Sequence, residues 1–281
     1  MTTVAAEIGR LLAQKEKDLL SGQAALRGML AEAKRQIVEE LAALPGETYT
    51  AQMLKANLAS VERYLSAFES NGSVEMSRRL DQAWESGADL VPAAMREGGL
   101  FVTFGHIPGP LLRTLKDYSV HKISGLAGDA FNKIRGELSL GLLGQKTPHQ
   151  VIQAIAGTLD SPGAFKSLEA RAETIAKVEM GRAYSTATVE GLKQASSSVP
   201  EMEKQWVHAG HPKVPRVNHV RLHGTHVPVD EPFVIGSLVI DYPRAPNLPA
   251  EEVIHCGCDV VPWHPAWGKK AGGEARGSQA A

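Results

Sequence analysis

The stretch "LKQASSSVPEMEKQWVHA" (192–209) is where the chain changes its period. Before it, apolar residues recur every three or four positions, as on one face of a helix. The polar run Ser196-Ser197-Ser198-Val199-Pro200 ends that pattern, and "KQWVHA" then alternates apolar with polar like a short strand. The expected fold class follows: a mainly α N-terminal region with a small α+β C-terminal module.

Working toward the N-terminus, residues 164–195 form one helix, with Ala172, Ile175, Ala176, Ala183, Ala187 and Leu192 offering a close-packing face. "TPHQVIQAIAGTL" (147–159) carries a full start signal. Thr147 is the N-cap, Pro148 the first helical residue, and Gln150 the return partner of a capping box. Helix also covers about 111–143, preceded by an irregular glycine- and proline-rich link at 98–110. Further back, helical spacing fills 4–44 and resumes after "LPGETYT". It is expected to stop at Asn71-Gly72, restart with "VEMSRRLDQAWESG", and end near Gly87.

Working toward the C-terminus, "HVPVDEPFVIGSLVIDYPRAP" (226–246) reads as short strands around turns at Pro232, Gly236 and Pro243. The expected organisation is a helical region at 1–97, a second at 98–200, a His- and Cys-bearing module at 201–267, and a disordered polar tail at 268–281.

Composition narrows the function classes. The chain has 281 residues, 43% of them hydrophobic and only 5% aromatic, which suits helices packed through aliphatic side chains. Net charge is −1, and neither half carries a basic excess, so counterion-release binding to nucleic acid is not indicated. No apolar run is long enough to span a membrane, and the start lacks the layout of a signal peptide.

The only two cysteines, Cys256 and Cys258, sit in "EEVIHCGCDVVP" (251–262). Seven of the ten histidines lie between 208 and 264, where even scatter would put about two. Thiolate and imidazole together are the ligand set of zinc, and in an extended Cys-Gly-Cys the two sulfurs point to one side. The expected structural zinc site is Cys256, Cys258, His219 and His223, with His211 and His226 as competitors for the fourth place. Such a staple suits a module of about 65 residues, whose core is marginal alone. Three other readings stand beside it: buried cysteines acting as small hydrophobes, a strained redox-active disulfide across Gly257, and solvated histidines. Acid–base use of the histidines, with Arg216 or Glu179 as electrostatic partners, is a further alternative, although no nucleophile–base–orienter order is visible.

The motifs form an ordered series. Ala176-Lys177-Val178-Glu179 comes first, then Trp206, then Arg216, His219, Leu222, His223 and Gly224. Phe233, the turn prolines Pro243 and Pro246, and His255-Cys256-Gly257-Cys258 complete it. Over about 165–262 this resembles the Mu-F-like phage head morphogenesis family of minor head, or minor capsid, proteins. Lys177-Val178 and Gly257 depart from that family's Arg-Thr pair and inter-cysteine arginine. The resemblance implies a structural and interaction role at the portal in head morphogenesis and DNA packaging or delivery. The implied partners are portal or major capsid protein, with scaffold possible. The implied location is the virion head, or the host cytoplasm during assembly. The alternative is a metal-dependent or histidine-based hydrolase, a nuclease or toxin-like C-terminal domain. No enzymatic activity is expected on the first reading.

Overall fold

The computed structural model describes residues 3–43, 50–107, 109–158, 168–208 and 215–268. His211 and the polar tail from 269 onward lie outside them. Five long helices come first: α1 (Thr3–Ala42), α2 (Ala51–Glu97), α3 (Gly109–Leu142), α4 (Pro148–Thr158) and α5 (Leu168–Ser196). The rest is short: β1 (Glu203–Val207), α6 (Val217–Arg221), β2 (His226–Pro228), β3 (Phe233–Ile235), β4 (Leu238–Ile240), α7 (Ala250–Val253), β5 (Asp259–Trp263) and α8 (Pro265–Gly268). The fold class is the expected one, helical first and then a small mixed module.

The chain divides into two compact units. One comprises residues 20–79 and 114–177; the other comprises 1–19, 80–113 and 178–281. Among the described residues, the regular elements of the first unit are all helices. In α1, Leu26, Leu30, Ala33, Ile37 and Leu41 are buried at spacings of three or four, a seam on one face. In α3, Leu115, Ser119, Ile123, Leu126, Ala130, Ile134 and Leu138 do the same. The Thr147 capping box forms as expected: Thr147 N–H donates to Gln150 Oε1 at 2.9 Å, and Gln150 N–H donates to Thr147 Oγ1 at 3.3 Å.

Two expected helix ends do not occur. α2 runs through both Asn71-Gly72 and Gly87 without a break. Packing supplies the reason. A Cβ at Gly72 would lie 3.4 Å from Ile123 Cγ2 and 3.6 Å from Leu26 Cδ2, ordinary van der Waals distances, so Gly72 sits inside the packing of α2 against α1 and α3. A Cβ at Gly87 would lie 2.3 Å from the Tyr184 carbonyl oxygen, and Thr188 Oγ1 donates to the Gly87 carbonyl at 3.1 Å. Gly87 serves helix–helix contact, which overrides its cost of about 1 kcal/mol in a helix.

The second unit holds the module. β1 lies between β2 and β5 in an antiparallel sheet of order β2-β1-β5, while β3 and β4 form a separate hairpin. The β1–β5 register runs from Glu203↔Trp263 to Val207↔Asp259. Trp206 and Phe233 are fully buried and centre a core with Val260, Leu222 and Ile240. Val91 and Met95 of α2 and Val189 and Leu192 of α5 close that core. The module is thus a sheet-and-loop cap with its apolar side laid against helix, and each buried aliphatic or aromatic side chain contributes about 1.5–3 kcal/mol.

Candidate metal centre

The site begins with the β1–β5 ladder. Trp206 pairs with Val260 and Val207 with Asp259, where the register ends, and the next residue beyond it on each segment is His208 on one and Cys258 on the other. Cys256, two residues earlier, points to the same side as Cys258. The approach to the cysteines is tight: His255 takes φ +58. His219 comes from α6, which packs its only buried residue inward. Its ring meets Trp206 edge-on, with centroids 5.3 Å apart and planes at 82°.

The result is a three-residue cluster. Ligand atoms of His219, Cys256 and Cys258 all lie within 4.8 Å of one another. His219 Nδ1 stands 3.5 Å from Cys256 Sγ and 3.6 Å from Cys258 Sγ. A tetrahedral zinc ion with ordinary bond lengths sets a ligand S···N separation of about 3.6 Å, so the spacing fits. All three side chains are buried, at 2%, 3% and 1% exposure. Both cysteines are free thiols.

The surroundings tune this set. His219 Nε2 donates to Glu252 Oε2 at 2.8 Å, because an ionised carboxylate can only accept. That bond turns the Nδ1 lone pair toward the sulfurs, the carboxylate–histidine arrangement that supports metal-ligating imidazoles. Burial works against charge on His219, but the Cys256 thiolate and Glu252 outweigh it and raise its pKa. The Cys258 thiol hydrogen-bonds to Cys256 and draws that residue's pKa down to about 4 against burial, with His219 and Arg244 assisting. Sharing that proton pushes Cys258 up. The two thiols thus titrate in opposite directions, and a metal bound by both sulfurs would displace the protons they hold.

Behind the cysteines lies a buried ionic network. Arg244 Nη2 donates to Asp259 Oδ1 at 2.9 Å, and Lys15 Nζ reaches the same oxygen. Burial opposes the charge of Asp259, yet Lys15 and Arg244 hold its carboxyl below the usual range. Arg182 pairs with Glu179 and donates through Nε to the Arg244 carbonyl at 2.9 Å. Arg216 Nε donates to the Glu251 carbonyl at 2.7 Å and Nη2 to that of Ile254 at 2.5 Å, fixing α7 and the turn before the cysteines. Glu179 and Arg216, considered from sequence as electrostatic partners of catalysis, here bind neighbouring protein groups.

The other histidines are dispersed. His223 is exposed, outside the cluster, and its Nδ1 accepts the His208 N–H at 3.0 Å. His226 pairs with Glu203 and stacks on Trp263, with ring centroids 3.8 Å apart, at the far end of the ladder. His264 Nε2 donates to the Pro200 carbonyl at 3.1 Å. Sequence reasoning missed His208, whose Nδ1 lies 3.4 Å from Cys258 Sγ. The signal was present in "WVH", because i, i+2 alternation puts His208 on the face of buried Trp206. Glu252 and Arg244 carried no comparable signal.

Among the described residues, no helix is long and apolar enough to cross a membrane. No solved structure matches the chain. The uncharacterized protein YqbB of Bacillus subtilis (strain 168) is 29% identical over 126 residues, a stretch covering 41% of each protein. The chain thus spans about two fifths of that relative's length. The family model described as Phage Mu protein F like protein matches residues 133–261, which takes in Glu179, Trp206, Arg216, His219 and both cysteines. Over that segment the chain is similar to the Phage Mu protein F like family, in line with the resemblance carried by its ordered motif series.

Proposed function

We propose that the protein is a phage minor head protein, acting at the portal in head morphogenesis and in DNA packaging or delivery, and that a structural zinc ion staples its C-terminal module. The match over 133–261 carries the first half of this reading. The buried His219–Cys256–Cys258 set supports the second. A catalytic zinc keeps an open position for water, whereas these three donors are all buried, which favours a closed, structural centre over the hydrolase alternative. The partners on this reading are portal or major capsid protein. The site of action is the forming head in the host cytoplasm and then the virion.

The test is to purify heads from a producing culture, wash them at high salt, and probe for the chain beside portal protein. Its retention at low copy is the expected result. Heads that assemble and package normally without it would overturn the assignment. The zinc half is tested separately by metal analysis of the purified chain against Cys256→Ser/Cys258→Ser.

A further inference from the structure

We infer that His208, and not His223, is the fourth ligand of the module's metal ion. This rests on the metal-staple reading above. Three observations converge. The β1–β5 register ends at Val207↔Asp259, and the next residue beyond it on each segment is His208 on one and Cys258 on the other, which an unbroken ladder would set face to face. His208 Nδ1 lies 3.4 Å from Cys258 Sγ, close to the separation of about 3.6 Å that zinc imposes on a sulfur and a nitrogen. His223 Nδ1 already accepts the backbone N–H of His208 at 3.0 Å, so that nitrogen's lone pair is engaged and its effect falls on the backbone of the residue beside the sulfur.

The division of labour follows from this geometry. Cys256 and Cys258 come from the approach to β5, His219 from α6, and His208 from the end of β1. An ion so held ties three separate segments, one of them the central strand of the sheet. His208 is part-exposed where His219 is buried, so the His208 side is where an ion would enter and leave.

The test uses the full chain loaded with zinc or cobalt, with affinity read by competition against a chromophoric chelator. His208→Ala is expected to weaken binding at least tenfold, since even residues that only support a ligand cost about 10–100-fold. His223→Ala is expected to stay within a few-fold of wild type, and His208→Cys to restore binding. Cobalt gives a readout that mere loss of structure would not mimic. The thiolate-to-cobalt charge-transfer band should grow in His208→Cys, as a third sulfur enters the sphere, and stay unchanged in His223→Ala. Wild-type affinity and spectrum in His208→Ala, with loss in His223→Ala, would overturn the assignment and return the place to His223. A wild-type chain that takes up neither metal would remove the metal reading itself.

Discussion

Arg244 Nη1 donates to the carbonyl of Cys256 at 2.7 Å, so a buried guanidinium grips the backbone of a candidate ligand from behind. The same group meets Asp259 and Ser185, while its own carbonyl receives Arg182. Its backbone sits at φ +64, a conformation that L-residues seldom adopt, and a Cβ on Gly181 would come within 2.6 Å of its Nε. The turn "YPRAP" therefore exists to deliver one side chain to this place, and glycine at 181 makes room for it.

Replacing Arg244 should be among the costliest single changes in the module. Arg244→Ala strips a partner from buried Asp259 and leaves the Cys256 carbonyl unsatisfied, a loss of about 3–5 kcal/mol. Arg244→Lys keeps the charge but not the fork that spans both acceptors, so it should recover only part. Denaturant unfolding measures both. A change below about 1 kcal/mol for the alanine variant would show that the network is dispensable.

Glu252→Gln separates support of the ligand from support of the fold. The amide can still meet His219 Nε2, but without the negative charge that makes the imidazole a stronger donor to metal. Zinc affinity should fall about 10–100-fold, with the metal-free protein's melting temperature nearly unchanged. Chelator competition and a thermal melt on the same sample check this. Equal affinity in both proteins would mean that Glu252 is only a surface partner.

How much of this was legible in the sequence depends on whether the cause is local. The Thr147 capping box, the strand alternation of "KQWVHA" and the shared direction of the two cysteines are properties of a few neighbouring residues, and they stand as expected. Gly72 and Gly87 misled because a glycine in a helix looks the same whether it ends the helix or admits a neighbour, and only the partner's position tells. Of the four expected ligands, His219 and the cysteines converge, whereas His223 lies one turn too far along and faces solvent. Lys15 is the extreme case. It is 244 residues from Asp259, in a helix whose pattern gives no hint of an inward lysine.

Two glycine substitutions should move stability in opposite directions. Gly87→Ala forces a methyl against the Tyr184 carbonyl, where backbone cannot yield, and should cost about 1–3 kcal/mol or more. Gly28, exposed in α1, has nothing within 4 Å of its would-be Cβ, so Gly28→Ala should add about 0.5–1 kcal/mol through helix propensity. Paired unfolding curves decide it. Two shifts of the same sign would break the contact account of Gly87.

Lys15 supplies a pH dependence whose direction is fixed by its burial. Its amine titrates at about 8 against an ordinary 10.5, because burial penalises the ammonium more than Asp259 compensates. In the window from about 8 to 10.5 the unfolded chain keeps a proton on Lys15 that the folded chain has released, so unfolding takes up a proton there. The contribution of Lys15 to stability therefore rises with pH through that window, by roughly 1.4 kcal/mol per pH unit at most, and is unfavourable and constant below it. Lys15→Met removes the titration while Arg244 still holds Asp259 at 2.9 Å. Other groups titrate in the same range, so the measured quantity is the stability difference between wild type and Lys15→Met from pH 7 to 10.5. That difference should shift toward the wild type as pH rises. A flat difference would mean that Lys15 carries its proton in the fold as readily as in water.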